Sequence, residues 1–216
     1  MSIMLCNAVL TNRYIGNDSF YILGGTLTSP LIFILGDIIT EIWGYKSSRM
    51  VIFSGFLAQL FFVLVCQFVV KAPSPSFFTH YEHYSYILGS SLLSIEMSNF
   101  FAFVLGTIIN SKILSRWKIL MKGRFFALRS IGSSTISEAL YSCIAIILME
   151  LHSIPFSGIM KTILISYLIK VLYNIAFCIP ANFIVNFLKE FTGTDKYDFP
   201  ENLTPLKHIH PGVEIW

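Results

Sequence analysis

The sequence is poor in charged residues, which occupy only 12% of its 216 positions. A typical soluble domain carries about 25%. Hydrophobic residues make up 55% of the chain, and they are gathered into apolar runs separated by short polar loops. Runs of about 20 residues cross the hydrocarbon core of a bilayer as helices. The shortage of charge therefore excludes an ordinary soluble domain and predicts an all-α, polytopic integral membrane protein.

Motifs of covalent and metal chemistry are also lacking. The chain has no G-x-S-x-G, no H-E-x-x-H, no C-x-x-C and no phosphate-binding loop. Its four cysteines stand singly, and its net charge of +3 is small. We therefore predict that the protein is not an enzyme, that it has no catalytic residue, cofactor or metal site, and that it has no nucleic-acid partner.

The apolar runs predict about six transmembrane helices. The first run, residues 2–15, is short and interrupted by polar residues, so we expect it to be the second half of a helix whose beginning is missing. The other five spans are predicted at residues 28–44, 49–70, 84–113, 131–149 and 159–188. Residues 1–190 would then form a single transmembrane domain, and residues 191–216 a polar C-terminal tail.

Basic residues predict the orientation of these spans. Eleven lysines and arginines fall in the loops after spans two and four and in the tail, whereas three fall on the opposite side. Loops rich in lysine and arginine stay in the cytoplasm. We expect a multi-pass protein of the bacterial inner membrane with both termini in the cytoplasm.

Span two contains two carboxylates in an apolar run, Asp37 and Glu41. Residues four apart share one face of a helix. A carboxylate in a membrane helix costs about 2.5–3.5 kcal/mol on insertion scales, so it is usually retained for a function. For Glu41, near the end of the run, an alternative is a snorkelling acid, a gate or a structural salt bridge with the basic loop that carries Lys46 and Arg49. Asp37 is the better candidate for contact with a ligand.

Other spans carry ionisable groups at a similar depth. Glu138 lies in span five and Lys170 lies near the middle of span six. Their common depth favours one polar cavity that binds a substrate, although Lys170 could instead form a structural pair with one of the acids. Neighbouring polar residues complete the candidate set, although serines in membrane helices also serve helix packing. These neighbours are Asn110 in span four, Ser134 and Tyr141 in span five, and Asn174 in span six.

Three stretches carry a resemblance to a known family. They are FILGDIITEIWG, the basic loop ending in MKGRFFALRSIGSSTIS, and YLIKVLYNIAFCIP followed by FLKE and DKYDF. In this order and spacing, the chain resembles the queuosine precursor transporter family of six-span membrane proteins, from about residue 7 to residue 199. The resemblance implies import of queuine, 7-aminomethyl-7-deazaguanine or 7-cyano-7-deazaguanine for tRNA modification. It also adds Arg129 to the candidate site, with Asp37, Glu41 and Lys170 at matching positions.

The chain departs from the family pattern in two spans. Where the family tends to have Gly-Gln-x-x-Asp in span four, this chain has Gly106, Thr107 and Asn110. In span five, Glu138 and Tyr141 stand where the family has an amide and an acid. The departures are consistent with a relocated charge or with a different substrate. A non-transporting subunit or substrate-binding component of a larger importer is the alternative function, and a homo-oligomer is compatible with either.

Overall fold

The computed structural model describes residues 1–17, 20–75, 78–151 and 154–198. These residues are mostly helical, which agrees with the predicted all-α class. The elements are α1 (Ser2–Leu10), β1 (Tyr14–Asn17), β2 (Phe20–Leu23), a 3-10 helix (Gly24–Leu27), α2 (Ser29–Lys71), α3 (Tyr81–Leu88), α4 (Ser90–Leu120), α5 (Phe126–Glu150) and α6 (Phe156–Thr192). The predicted tail, residues 191–216, is described only as far as residue 198.

Four long helices form a closed ring. Helix α4 packs against α2 and α5, and α6 packs against α5 and α2. In the described part of the chain, four helical stretches are long and apolar enough to cross a bilayer: Gly24–Lys71, Tyr81–Leu120, Phe126–Glu150 and Phe156–Thr192. Many large apolar side chains remain uncovered, among them Phe68 and Phe183, which are 78% and 71% exposed. Such a surface suits a lipid environment and supports a multi-pass membrane protein.

The long helix α2 is interrupted at Gly44, whose φ of 79° and ψ of 173° are not helical. Thr40 and Ser48, four positions before and after Gly44, both contact Ser111 of α4. The Ser111 hydroxyl lies 3.2 Å from the Thr40 hydroxyl and 3.0 Å from the Ser48 hydroxyl. Ser29 and Gln59, equally far from Gly44 on either side, also line one cavity. The chain therefore reverses direction at Gly44, at the boundary between predicted spans two and three.

The first segment differs from its prediction. Helix α1 ends at Leu10, and the next residues form a β-hairpin in which Tyr14 pairs with Leu23 and Ile15 with Ile22. The aromatic and β-branched residues of these strands favour extended backbone. Nine helical residues extend about 14 Å, less than the ~30 Å hydrocarbon core. The count of six spans stays a prediction.

The two ends of the bundle are distinct. The first, here called the basic end, brings together the Gly44 turn, the loop after α4 and residues 193–198. There the Lys196 N–H donates to the Ile42 carbonyl at 3.1 Å, and Tyr197 lies against Gly123. The other, called the hairpin end, holds the β-hairpin and the start of α6, where Tyr21 lies against Gly158. The three basic segments that the charge pattern groups together thus lie at one end.

Replacing Gly44 by alanine should destabilise the protein, since a Cβ there would lie 2.9 Å from the Asp198 carboxylate and φ is positive. We expect a loss of about 1–3 kcal/mol, seen as a melting temperature in detergent lower by several degrees. The control is Gly36→Ala in the same helix, where a Cβ meets nothing within 4 Å. Equal melting temperatures for the two variants would contradict the role assigned to Gly44.

Candidate functional site

Buried polar side chains follow the axis of the bundle from the basic end to the hairpin end. They divide into three groups, defined below as the ion network, the Asp37 cluster and the central cluster. All nine residues predicted as the site are buried in these groups: Asp37, Glu41, Asn110, Arg129, Ser134, Glu138, Tyr141, Lys170 and Asn174.

The ion network lies at the basic end and consists of Glu41, Lys118, Arg129, Lys189 and Asp195. The Arg129 guanidinium donates to both Glu41 oxygens, at 2.8 and 3.0 Å, and the Lys189 ammonium lies 2.7 Å from the same carboxylate. Asp195 accepts from Lys118 at 2.6 Å and from Lys189 at 2.9 Å. Glu41 and Arg129 are fully buried. The network therefore ties α2, α4, α5 and α6 to the segment after α6.

The segment after α6 also satisfies the backbone groups left free by the break at Gly44. The Asp198 carboxylate accepts from the Tyr45 N–H at 2.7 Å and from the Ser115 hydroxyl at 2.8 Å. The Lys196 N–H of this segment donates to the Ile42 carbonyl at 3.1 Å, and Lys118 of α4 donates to the Glu41 carbonyl. Free N–H and carbonyl groups at helix ends need such partners when they are buried. This segment thus acts as a cap on the turn and closes the basic end.

Asp195 remains ionised in this setting. Burial alone would raise the pKa of its carboxyl group, but hydrogen bonds from Lys118 and Lys189 outweigh that effect and hold the pKa below its ordinary value. A carboxylate with a lowered pKa stabilises the fold above its unfolded-state pKa, and that stabilisation is lost as the pH falls through the lowered value. Asp195 therefore keeps its negative charge at neutral pH.

The Asp37 cluster lies next along the axis. The Asn110 amide donates to one Asp37 oxygen at 2.5 Å, and the hydroxyls of Ser130 and Ser134 donate to the other at 2.5 and 3.0 Å. Asp37 is fully buried. Both of its oxygens therefore have neutral donors, and in this conformation the carboxylate is held by the protein itself.

The central cluster consists of Glu138, Tyr141, Ser142, Lys170 and Asn174. One Glu138 oxygen accepts from the Asn174 amide at 2.9 Å, whereas the other, Oε1, has no partner among the described residues. The Lys170 ammonium donates to Ser142 at 2.8 Å and lies 4.4 Å from the centre of the Tyr141 ring. The alternative of a structural ion pair for Lys170 is not observed, because no carboxylate in the described chain lies within 4.0 Å of it.

Two small cavities adjoin the central cluster and share Ser29, Asn99 and Tyr141 on their walls. One reaches Lys170 and the other reaches Glu96. Each has a volume of about 20 Å³, which is room for about one water molecule. Neither could hold a heterocyclic base without widening.

A larger cavity, here called the vestibule, opens at the hairpin end. Its volume is about 720 Å³. Thr11, Leu23 and Met149 line both the vestibule and the small cavity that contains Lys170. The vestibule and the small cavities therefore form a series that leads from the hairpin end to the central cluster.

Glu96 is an acid that the sequence showed but did not assign to the site. It accepts from the Gln59 amide, and its Oε1 has no hydrogen bond in the described structure. The sequence signal, a lone acid in an apolar run, is the same as for Glu138. Lys118, Lys189 and Asp195 were also not assigned, because the basic residues were interpreted as loop charges and Asp195 lies in the polar tail.

Comparison with known proteins identifies the family. A family model with the description "Putative vitamin uptake transporter" matches residues 23–185, most of the chain. The chain belongs to this family. Neither the curated proteins nor the solved structures provide a match. The region shared with these uptake transporters includes the whole Asp37 cluster and the whole central cluster, whereas Lys189 and Asp195 lie beyond it.

Arg129→Met should destabilise the protein strongly, because it leaves Glu41 buried without its bidentate partner. Breaking a buried ion pair costs about 3–5 kcal/mol. Thermal unfolding in detergent measures the effect. Arg116→Met is the matched control, since Arg116 is an exposed basic residue of α4 at the same end. A shift in melting temperature no larger for Arg129→Met than for Arg116→Met would contradict this role.

Proposed function

We propose that this protein imports a queuosine precursor, either queuine or one of its two 7-deazaguanine precursors, for tRNA modification. Membership of an uptake-transporter family supports transport. The resemblance of the three sequence stretches supports the substrate. The observation that carries the proposal is the central cluster, where the buried Glu138 has an unpartnered carboxylate oxygen beside Lys170 and Tyr141.

The polar edge of a 7-deazaguanine base matches these groups. It presents a ring N–H beside an exocyclic amine, and a carboxylate such as Glu138 accepts two such donors in a charge-assisted, bidentate arrangement. The ring carbonyl of the base accepts a hydrogen bond, which the Lys170 ammonium would donate. Phe33 and Tyr141, whose ring centres lie 5.8 Å apart, offer apolar faces to a flat ring.

Glu96 gives the proposed site a second carboxylate with spare capacity. It lines one of the two small cavities beside the central cluster, and Tyr141 lines the same cavity. Aminomethyl-deazaguanine and queuine carry a cationic amine besides the base edge, and a second acid would complement that charge. Asp37, already held by three donors, would fix the positions of α4 and α5 around the ligand.

The two ends suggest how access would alternate. The vestibule is open at the hairpin end, whereas the ion network and the capping segment close the basic end. The positive-inside rule would place the basic end in the cytoplasm of a bacterial cell, and both termini with it. In this arrangement the two halves of α2 are separate spans. Import then requires the small cavities to widen around the base and the ion network to open.

Glu138→Gln and Lys170→Met should each lower uptake at least tenfold. A hydrogen bond to a charged group contributes about 1.5–3 kcal/mol, which is about ten- to a hundredfold in affinity. The assay is uptake of each labelled base by cells that cannot make queuosine, with tRNA queuosine as a second readout. The control is Glu190→Gln, an exposed acid on α6. Asp37→Asn is expected to abolish uptake as well.

Uptake at the wild-type rate in Glu138→Gln and Asp37→Asn, with membrane expression intact, would contradict the central site. Reconstitution of the purified protein in liposomes separates the alternative. A protein that binds the base but does not move it across the bilayer on its own would be a component of a larger importer.

A further inference from the structure

The vestibule contains a buried carboxylate that the proposed central site does not use. Glu150, the last residue of α5, lines this cavity and is only 4% exposed. Its Oε2 has no hydrogen-bond partner among the described residues, and no described lysine or arginine forms an ion pair with it. Polar groups buried without a partner are rare in native structures. This oxygen is therefore available to a ligand in the vestibule.

The Tyr14 hydroxyl donates a hydrogen bond to the Glu150 carboxylate. Burial and this hydrogen bond to Glu150 raise the pKa of Tyr14 above its ordinary value. A phenol that donates to a carboxylate keeps its proton, and it fixes the orientation of the acid. Glu150 is thus positioned by a neighbour and not free to turn toward bulk solvent.

Aromatic rings surround the same cavity. Tyr14, Tyr21 and Tyr86 all line it, and the Tyr14 and Tyr21 rings meet edge to face with their centres 5.7 Å apart. Tyrosine faces attract cations and stack on flat heterocycles. Among the described residues that line the vestibule, Glu150 is the only acid, and there is no lysine or arginine. The described lining of the vestibule therefore favours a cation, because it contains an acid and no basic side chain that would repel one.

The size and position of the vestibule suit a small ligand on its way to the central cluster. Its volume of about 720 Å³ lies within the range of about 300–1,000 Å³ that is usual for small-molecule sites. It shares Thr11, Leu23 and Met149 with the cavity that contains Lys170. A ligand held at Glu150 would therefore stand directly before the central site.

We propose that the vestibule is a second, outer binding site, in which Glu150 and the three tyrosines hold the ammonium group of an amine-bearing heterocyclic base. This inference rests on the proposed function and narrows its substrate class. Bases that carry an ammonium group gain a charge-assisted contact before they reach the central cluster, whereas a nitrile-bearing base does not. The protein accordingly prefers the aminomethyl base to the cyano base.

The two bases form a matched pair of probes, because they share a ring and differ in one substituent. Binding of each to the purified protein in nanodiscs is measured by calorimetry. Wild-type protein should bind the aminomethyl base about tenfold more tightly than the cyano base. Glu150→Gln should reduce this preference severalfold, with Glu96 retaining the remainder, and should leave the affinity for the cyano base unchanged. Glu150→Asp, which retains the charge, should retain most of the preference.

Glu82→Gln is the control, since Glu82 is an exposed acid of α3 at the hairpin end and does not line the vestibule. It should leave both affinities unchanged. A second measurement needs no variant: benzylammonium should compete with the aminomethyl base on the wild-type protein, and neutral benzyl alcohol should not.

The outcomes separate the two proposals. If the wild type binds both bases and the preference is absent, or is undiminished in Glu150→Gln, the outer site is contradicted and the transport function stands. Equal competition by benzylammonium and benzyl alcohol contradicts the outer site in the same way. If the wild type binds neither base, the proposed function fails, and the inference fails with it.

Discussion

The buried ion pair between Glu41 and Arg129 is the constraint on which the rest of the structure depends. Removing either ion from water costs several kcal/mol, so each charge is tolerable only while its partners remain in place. Those partners come from α2, α4, α5 and α6. Because Lys118 and Lys189 also bind Asp195, the segment that caps the Gly44 turn is part of the same set. Closure of the basic end is therefore cooperative. If any one of these helices moved away, a charged residue of the network would lose its partner or become exposed.

The buried carboxylates of the bundle differ in how many hydrogen-bond donors they have, and the number of donors falls along the axis from the basic end to the hairpin end. At the basic end the carboxylates of Glu41 and Asp198 have several donors each. Toward the hairpin end, Glu138, Glu96 and Glu150 each keep one carboxylate oxygen without a partner among the described residues. Buried polar atoms normally find partners, so these exceptions need an explanation. A series of acids with spare acceptor capacity beside connected cavities explains them as places where a ligand rich in N–H donors would bind.

Much of the helical architecture could be predicted from the sequence, because apolar runs and isolated acids are local signals. The spans predicted at residues 131–149 and 159–188 lie within α5 and α6. The β-hairpin was missed, although YIGN and FYIL, separated by two residues in the sequence, have a pattern typical of paired strands. Contacts of residues 193–198 with the Gly44 turn could not be predicted, since they join parts of the chain about 150 positions apart and the segment is polar throughout. The partners of Glu41 are long-range as well: the sequence offers the nearby Lys46 and Arg49, whereas Arg129 and Lys189 bind it in the structure.

The two acids of α2, one turn apart, have separate roles because their partners differ in charge. Glu41 is neutralised by cations, so its contribution depends on the basic end being closed. Asp37 is held by neutral donors from α4 and α5, and each of its oxygens accepts at least one hydrogen bond. A ligand donor that displaced Asn110, Ser130 or Ser134 from Asp37 would require α4 or α5 to move. Glu138 Oε1, by contrast, has no hydrogen-bond donor to displace among the described residues. Within the proposed central site, a ligand would therefore contact Glu138 before Asp37, and any engagement of Asp37 would couple binding to the movement of the helices that the ion network holds together.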